Sequence, residues 1–184
     1  PEAMVNYLAL LGWAYDDKQE IFGIPDELIE KFSIEKVSKA AAIFDVEKLE
    51  WMNGVYIRDL KPSELAKRAL PFMKEAGIFS SDDLSEEVKA RFVQAMTLIQ
   101  TRIKNLAEVP EKTGYFFTDE INYDENAVEK VLRAQGIPEM LEALLSRLVG
   151  LQPWTEEKLE EVFNELAQEL DVKRGKLMQP TRVA

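Results

Sequence analysis

The sequence contains neither cysteine nor histidine. Without cysteine the chain cannot form disulfides or use thiol nucleophiles, and without histidine it has no imidazole for catalysis or for zinc-finger ligation. Any chemistry would depend on carboxylates, lysines, tyrosines or hydroxyls. No apolar run approaches the roughly 18 to 20 residues that span a bilayer, and the N-terminus lacks a secretory signal pattern. We therefore expect a cytoplasmic protein with no membrane contact and no metal site.

Basic residues are outnumbered, because 23 of them stand against 34 acidic ones and give the 184-residue chain a formal net charge of −11. Such an acidic balance ordinarily argues against a nucleic-acid partner. The charge is unevenly distributed, however. Two stretches, Lys89–Lys104 and Val172–Ala184, hold eight of the 23 basic side chains and none of the 34 acidic ones. A polyanion is predicted to bind only at these two stretches.

Helical spacing dominates the chain, and no strand-like alternation of useful length appears. Helix starts are marked by an N-cap residue or by a proline in the first turn. Such signals occur at Pro1, Asp45, Pro62, Asp124, Pro138 and Thr155. Glycines at 12, 77, 136 and 150 are predicted to end helices, and Pro71 predicts a kink or a break. The predicted fold class is all-α, in bundles of short helices.

The stretch Ala90–Phe117 has the clearest amphipathic pattern. Apolar residues recur with helical spacing at Phe92, Met96, Ile99, Ile103 and Leu106. The pattern predicts a long helix that breaks after Val109 at Pro110, with Arg102 midway along it and one position off the apolar stripe.

No cluster of residues suggests a catalytic site. Paired carboxylates such as Asp82-Asp83 and Glu156-Glu157 lie at turns and helix starts, where acidic residues suit the helix dipole. Lys36-Val37-Ser38-Lys39 is reminiscent of the ATP-binding signature loop of class I aminoacyl-tRNA synthetases. That loop acts with a histidine-bearing motif that is absent here, and Ser33–Phe44 is predicted to be a helix. A hydrolase that used only carboxylates is therefore rejected, and no catalytic residue is assigned.

The aromatic residues are interpreted mainly as core. Tyr115-Phe116-Phe117 could stack on nucleic-acid bases, but consecutive aromatics near a domain boundary favour a buried cluster. The same interpretation is applied to Trp13, Trp51 and Trp154.

Six segments in chain order carry the most specific pattern. They read PEAMVNYLALLGW, FDVEKLEWMNGVYIR, PFMKEAG, LIQTRIKNLAEVPEKTGYFF, WTEEKLEEVF and KRGKLMQPTRVA. Together they cover essentially the whole chain, and they resemble the C-terminal half of bacterial glutamyl-tRNA synthetases. That resemblance implies a stem-contact region at 1–60 and two helical anticodon-binding subdomains at 61–123 and 124–184. It also implies a monomeric, non-catalytic fragment that binds tRNA-Glu and needs no cofactor. The parent enzyme would be a class I glutamate–tRNA ligase that uses ATP with magnesium.

Within this resemblance Arg102 occupies the position that reads the third anticodon base. That base is cytosine in glutamate tRNA and guanine in glutamine tRNA. An unpaired cytosine offers two adjacent acceptors to the guanidinium fork, whereas guanine presents N–H donors at the same place. One bidentate contact of this kind discriminates by roughly 1 to 3 kcal/mol, although arginine can also bind guanine through O6 and N7 if the base turns its other edge. Family members that also charge glutamine tRNA tend to have glutamine there, so Arg102 favours a glutamate-only enzyme.

The resemblance assigns the remaining candidate residues to the two basic stretches. Gln179 and Arg182 match a glutamine-proline-x-arginine pattern and are expected to contact the first two anticodon bases. Contacts with the tRNA backbone are expected from Lys89, Arg91, Lys104, Lys173, Arg174 and Lys176. Relatives often have an apolar residue in place of Arg174, so phosphate binding is the role given to it. The family's final helices follow the position of Ala184, so the last subdomain is expected to be truncated.

One alternative from another functional class stays open at this stage. The chain could be a free-standing helical module that uses its acidic faces to dock a basic protein. Salt-dependent binding to tRNA separates the two hypotheses, because counterion release weakens RNA affinity steeply as salt rises.

Overall fold

The computed structural model describes residues 1–16, 18–38, 42–118 and 123–184, and all regular elements within these ranges are helical. The predicted all-α class is confirmed. The chain divides into two compact units, Pro1–Glu120 and Ile121–Ala184.

The first unit contains six α-helices and three short 3₁₀ turns among its described residues. The helices are α1 (Glu2–Leu10), α2 (Asp26–Lys31), α3 (Val46–Asp59), α4 (Pro62–Glu75), α5 (Glu86–Ile99) and α6 (Val109–Thr113), and the turns are Ile34–Lys36, Leu106–Glu108 and Gly114–Phe116. Local signals start several of these helices. The Asp45 carboxylate accepts from the Lys48 N–H at 3.0 Å at the start of α3, and Pro62 lies in the first turn of α4.

The largest core of the first unit lies where α4 packs against α5. Its fully buried residues include Leu65, Met73 and Met96. Smaller clusters form around Tyr7 and Met52 on α1 and α3, and around Trp13. The core interpretation is therefore confirmed for Trp13. It is wrong for Trp51, whose side chain is exposed.

The second unit is built on α8 (Ile137–Leu148), α9 (Glu156–Glu169) and α10 (Arg174–Val183), which pack on one another. They follow a short α7 (Glu125–Ala127) that continues as a π-helical turn at Val128–Leu132. Asp124 and Thr155 accept from backbone N–H groups as N-caps of α7 and α9, as predicted. Trp154 is exposed, so the core interpretation is wrong for this residue too.

The predicted long helix at Ala90–Phe117 is wrong in its C-terminal half. Helix α5 ends at Ile99, and the chain leaves the helical path before it forms the turn at Leu106–Glu108. A new helix start explains the interruption, because Asn105 and Glu108 form a capping box. Pro110 lies in the first turn of α6, where proline is tolerated, and does not break a helix.

The predicted helix at Ser33–Phe44 is also wrong, and the break that Pro71 predicts is not found. Among the described residues of the predicted helix at Ser33–Phe44, only the 3₁₀ turn Ile34–Lys36 is helical, and Val37 after it is extended. Residues 39–41 of that stretch lie outside the described residues. Helix α4 continues through Pro71 to Glu75 without a break, and Pro71 lies near its C-terminal end.

Candidate nucleic-acid interface

Arg102 lies in the connection between α5 and the turn at Leu106–Glu108, and residues 100–105 are here named the Arg102 loop. The Arg102 N–H donates to the Ile99 carbonyl at 2.7 Å, which closes a tight turn at the end of α5. The Arg102 side chain is exposed and makes no ion pair or hydrogen bond with the described residues. Its neighbour Ile103 is only 1% exposed and belongs to the core of the first unit. A free guanidinium thus lies beside a buried residue.

Two side-chain amides fasten the Arg102 loop to α3. Gln100 Nε2 donates to the carbonyl oxygens of Leu60 at 2.6 Å and Ile57 at 2.9 Å. Asn53 Nδ2 donates to the Lys104 carbonyl at 2.6 Å. The loop is therefore held on both sides of Arg102.

The Glu108 carboxylate completes the loop from its C-terminal side. Its Oε1 accepts from the backbone N–H groups of Lys104 and Asn105, each at 2.9 Å. Asn105 Oδ1 in turn accepts from the Ala107 N–H at 3.0 Å. The Glu108 carboxylate, although close to Lys104, thus bonds to the backbone. The Lys104 ammonium makes no ion pair with the described residues.

The basic residues of α5 are in a different situation. Lys89 Nζ lies 2.8 Å from Glu86, and Arg91 Nη2 lies 3.1 Å from Glu87. The hydrogen bond from Lys89 to Glu86 raises the pKa of Lys89. The positive charges of Lys89 and Arg91 are therefore partly neutralised by Glu86 and Glu87 in the first turn of the same helix.

Most of the second basic stretch, Val172–Ala184, forms helix α10. Leu177 is 1% exposed and Pro180 is also buried, so this side of α10 packs on the unit. The exposed side chains that make no ion pair or hydrogen bond with the described residues are Lys173, Lys176, Gln179 and Arg182. The last three follow at three-residue intervals and share one face of the helix.

Arg174 is the exception within this stretch. Its Nη2 lies 2.8 Å from Glu160 on α9, and its Nε is buried without a hydrogen-bond partner. The Arg174 side chain therefore contributes to packing α10 on α9 through its ion pair.

The nine candidate residues thus fall into two groups. Arg102, Lys104, Lys173, Lys176, Gln179 and Arg182 have free side chains among the described residues, whereas Lys89, Arg91 and Arg174 are ion-paired. Sequence reasoning did not identify Gln100, Asn53 or Glu108 as residues of the site. The Asn105…Glu108 spacing of a capping box was a readable signal for Glu108.

The aromatic stretch before residue 118 is divided between core and surface. The Phe117 ring centroid lies 5.1 Å from that of Phe79 and 5.7 Å from that of Phe92, both in edge-to-face geometry. Tyr115 is exposed and lies against Phe116, with ring centroids 4.2 Å apart. The buried-cluster interpretation therefore holds for Phe116 and Phe117, which are partly buried against the core of the first unit, and not for Tyr115.

Neither a metal-binding cluster nor a membrane-spanning helix is found in the described parts of the chain. No group of three or more His, Cys, Asp or Glu side chains in those parts could hold a metal ion. None of the helices found there is long and apolar enough to cross a membrane.

Comparison with known proteins gives consistent matches. The sequence profile of a family described as "Anticodon binding domain" matches residues 64–184. The full chain is 45% identical to part of a glutamate–tRNA ligase of Dehalococcoides mccartyi and 42% identical to part of one from Thermus thermophilus, and it spans 37% of the length of each. A solved structure of a glutamate tRNA ligase from Elizabethkingia meningosepticum in complex with its amino acid superposes with a TM-score of 0.78 at 27% identity. That match covers 99% of this chain and 34% of the ligase.

Proposed function

Because the chain belongs to the anticodon binding domain family and corresponds to the C-terminal part of glutamate–tRNA ligases, we propose that it binds tRNA-Glu and recognises its anticodon. The chain spans 37% of the length of the D. mccartyi relative. The ligation of glutamate to tRNA, with ATP and magnesium, is therefore proposed for the parent protein and not for these residues. We further propose that the protein acts in the cytoplasm as a monomer.

The observation that carries this proposal is the state of Arg102. Its guanidinium is exposed and unpaired among the described residues, while the backbone on either side of it is fixed by Gln100 and by the buried Ile103. A cation held in this way is available to a ligand at little cost in ordering. Arg102 is proposed to donate two hydrogen bonds to the third anticodon base when that base is cytosine.

The free face of α10 is proposed to contact the first two anticodon bases and the nearby backbone. Gln179 can both donate to and accept from base edges, and Arg182 offers several donors. Lys173 and Lys176 are proposed to contact phosphates, as is Lys104 in the first unit. Lys89, Arg91 and Arg174 would have to exchange a carboxylate for a phosphate, so their contributions are expected to be smaller.

The proposal keeps a three-part organisation of the chain. Residues 1–60 would contact the stem of the tRNA, and residues 61–123 and 124–184 would form the two anticodon-binding subdomains. The match of the family profile to residues 64–184 supports assignment of the latter two parts to anticodon binding.

Substitution of Arg102 tests the proposal. The measurement is the Kd of the 184-residue chain for two tRNA transcripts that differ only in cytosine or guanine at the third anticodon position. The unmodified chain is expected to prefer cytosine by about fivefold or more, which corresponds to the roughly 1 to 3 kcal/mol of a bidentate contact. Arg102→Gln should reduce this preference to about twofold or less.

Arg133→Gln is a matched control, because it removes the same charge from an exposed arginine that is paired with Glu129. It should leave the preference unchanged. An unaltered preference in Arg102→Gln would contradict the proposed role of Arg102. Failure to bind either transcript at low salt would contradict tRNA binding and favour the acidic interaction module.

A further inference from the structure

We propose that Gln100 and Asn53 are positioning residues for anticodon recognition, which hold the backbone of the Arg102 loop so that the guanidinium meets one base edge. This inference rests on the proposed role of Arg102. It concerns two neutral side chains, one on α3 and one in the loop, that would not touch RNA themselves.

The geometry around Gln100 leaves its amide only one useful orientation. The atoms nearest to its amide nitrogen are the carbonyl oxygens of Leu60 at 2.6 Å, Ile57 at 2.9 Å and Arg58 at 3.3 Å. Carbonyl oxygens only accept, so the NH₂ group and not the amide oxygen must face them. An NH₂ group has two hydrogens, and the two shorter contacts use both. Gln100 therefore caps the C-terminal end of α3, where the Ile57 carbonyl also accepts from the Leu60 N–H.

Asn53 makes the second contact between α3 and the Arg102 loop, about one helical turn before Ile57. Its amide nitrogen donates to the Lys104 carbonyl, on the other side of Arg102 from Gln100. The backbone comes close to α3 at the same place. A Cβ at Gly54 would lie 3.7 Å from both the Ile103 oxygen and the Lys104 Cα, which is ordinary van der Waals contact. The loop thus lies directly against the surface of α3.

These contacts leave Thr101 and Arg102 as the only residues between a fixed Gln100 and a buried Ile103. The position of the Arg102 Cα is therefore determined by α3, while its side chain stays free to bind. Bidentate recognition depends on the direction of the fork as well as on its charge. Loss of the amide contacts should keep the charge of Arg102 and relax its direction, so that affinity for the cytosine transcript falls while affinity for the guanine transcript stays the same.

Single substitutions at the two amides measure this effect. In Gln100→Ala and in Asn53→Ala, Kd for the cytosine transcript should rise at least threefold while Kd for the guanine transcript stays the same, so that the preference for cytosine at the third anticodon position falls at least threefold. Gln94→Ala is the matched control, because Gln94 is an exposed glutamine on α5 whose side chain makes no hydrogen bond with the described residues. It should change neither quantity.

A double-mutant cycle separates positioning from a general loss of stability. If Gln100 acts through Arg102, then Gln100→Ala should have no further effect on the preference in a chain that already carries Arg102→Gln. A destabilised but folded chain would instead bind both transcripts less tightly by the same factor. The isosteric Gln100→Glu, which cannot donate to the α3 carbonyls, should behave like Gln100→Ala although it fills the same volume.

The outcomes distinguish this inference from the proposed function. If Arg102→Gln leaves the preference intact, the role of Arg102 is contradicted and the positioning role falls with it. If Arg102→Gln abolishes the preference while Gln100→Ala and Asn53→Ala retain it in full, only the positioning role is overturned.

Discussion

The Arg102 loop and helix α10 present free cations in two different ways. Each places cations on either side of one fully buried residue, which is Ile103 in the loop and Leu177 in the helix. In α10 the backbone is held by the hydrogen bonds of the helix itself. In the Arg102 loop it is held by side chains, those of Gln100, Asn53 and Glu108. A helix and an irregular loop thus both expose cations from a fixed backbone, but only the loop depends on particular polar side chains to fix that backbone.

The largest expected effect tests whether the buried residue has the same importance in both stretches. Ile103→Ala and Leu177→Ala should each lower the free energy of unfolding of their unit by about 2 to 5 kcal/mol, through lost burial and the cavity that remains. Urea denaturation followed by circular dichroism measures the loss. Leu98→Ala and Leu145→Ala are matched controls, because these side chains are 58% and 61% exposed and should cost little. Equal losses for buried and exposed sites would refute the shared design.

An intermediate effect concerns the free cations. Lys104→Gln and Lys176→Gln should each reduce the slope of log K against log salt for tRNA binding by about 0.7 to 0.9, because one phosphate contact is lost. Arg91→Gln should reduce it less, since Arg91 is paired with Glu87. A titration of Kd across several salt concentrations provides the slopes. Equal reductions at the paired and unpaired positions would show that the ion pairs do not restrain these side chains.

The smallest expected effect tests whether α10, unlike the Arg102 loop, is stabilised by ordinary helix propensity. Gly175 lies in the first turn of α10 with no atom within 4 Å of the position that a Cβ would take and without a positive φ. Gly175→Ala should therefore raise the free energy of unfolding of the second unit by about 0.5 to 1 kcal/mol. Thermal denaturation detects this as a higher Tm. A lower Tm would mean that α10 is not governed by ordinary helix propensity at this position.

The features that sequence predicted correctly depend on local interactions. Asp45, Asp124 and Thr155 act as N-caps because their partners lie only three residues further along the chain. The same reasoning would have revealed the pairs Glu86–Lys89 and Glu87–Arg91, which follow ordinary helical spacing. Glu86 and Glu87 lie just before the basic stretch, which begins at Lys89, so a charge count over that stretch alone does not include them.

The helix that ends at Ile99 in the structure is predicted from the sequence to continue to Val109, and this error has a different cause. Ile103 continues the apolar spacing of Ile99, and it is buried although the chain there is no longer helical. A periodic pattern records which residues face a core, and a loop that turns back over the same core can continue it. The contacts of Gln100 and Asn53 could not be predicted at all, because their partners lie 40 and 51 residues away.

Only two residues, Thr101 and Arg102, lie between the fixed Gln100 and the buried Ile103, and this limits how far the guanidinium can reach. With the chain held at Gln100 and Ile103, the distance that position 102 can span is the length of its own side chain. Lysine there would reach nearly as far but would carry a single point charge in place of a fork. A switch of preference from cytosine to another base therefore calls for a different residue at position 102, and a longer or shorter loop would lose the contacts with α3.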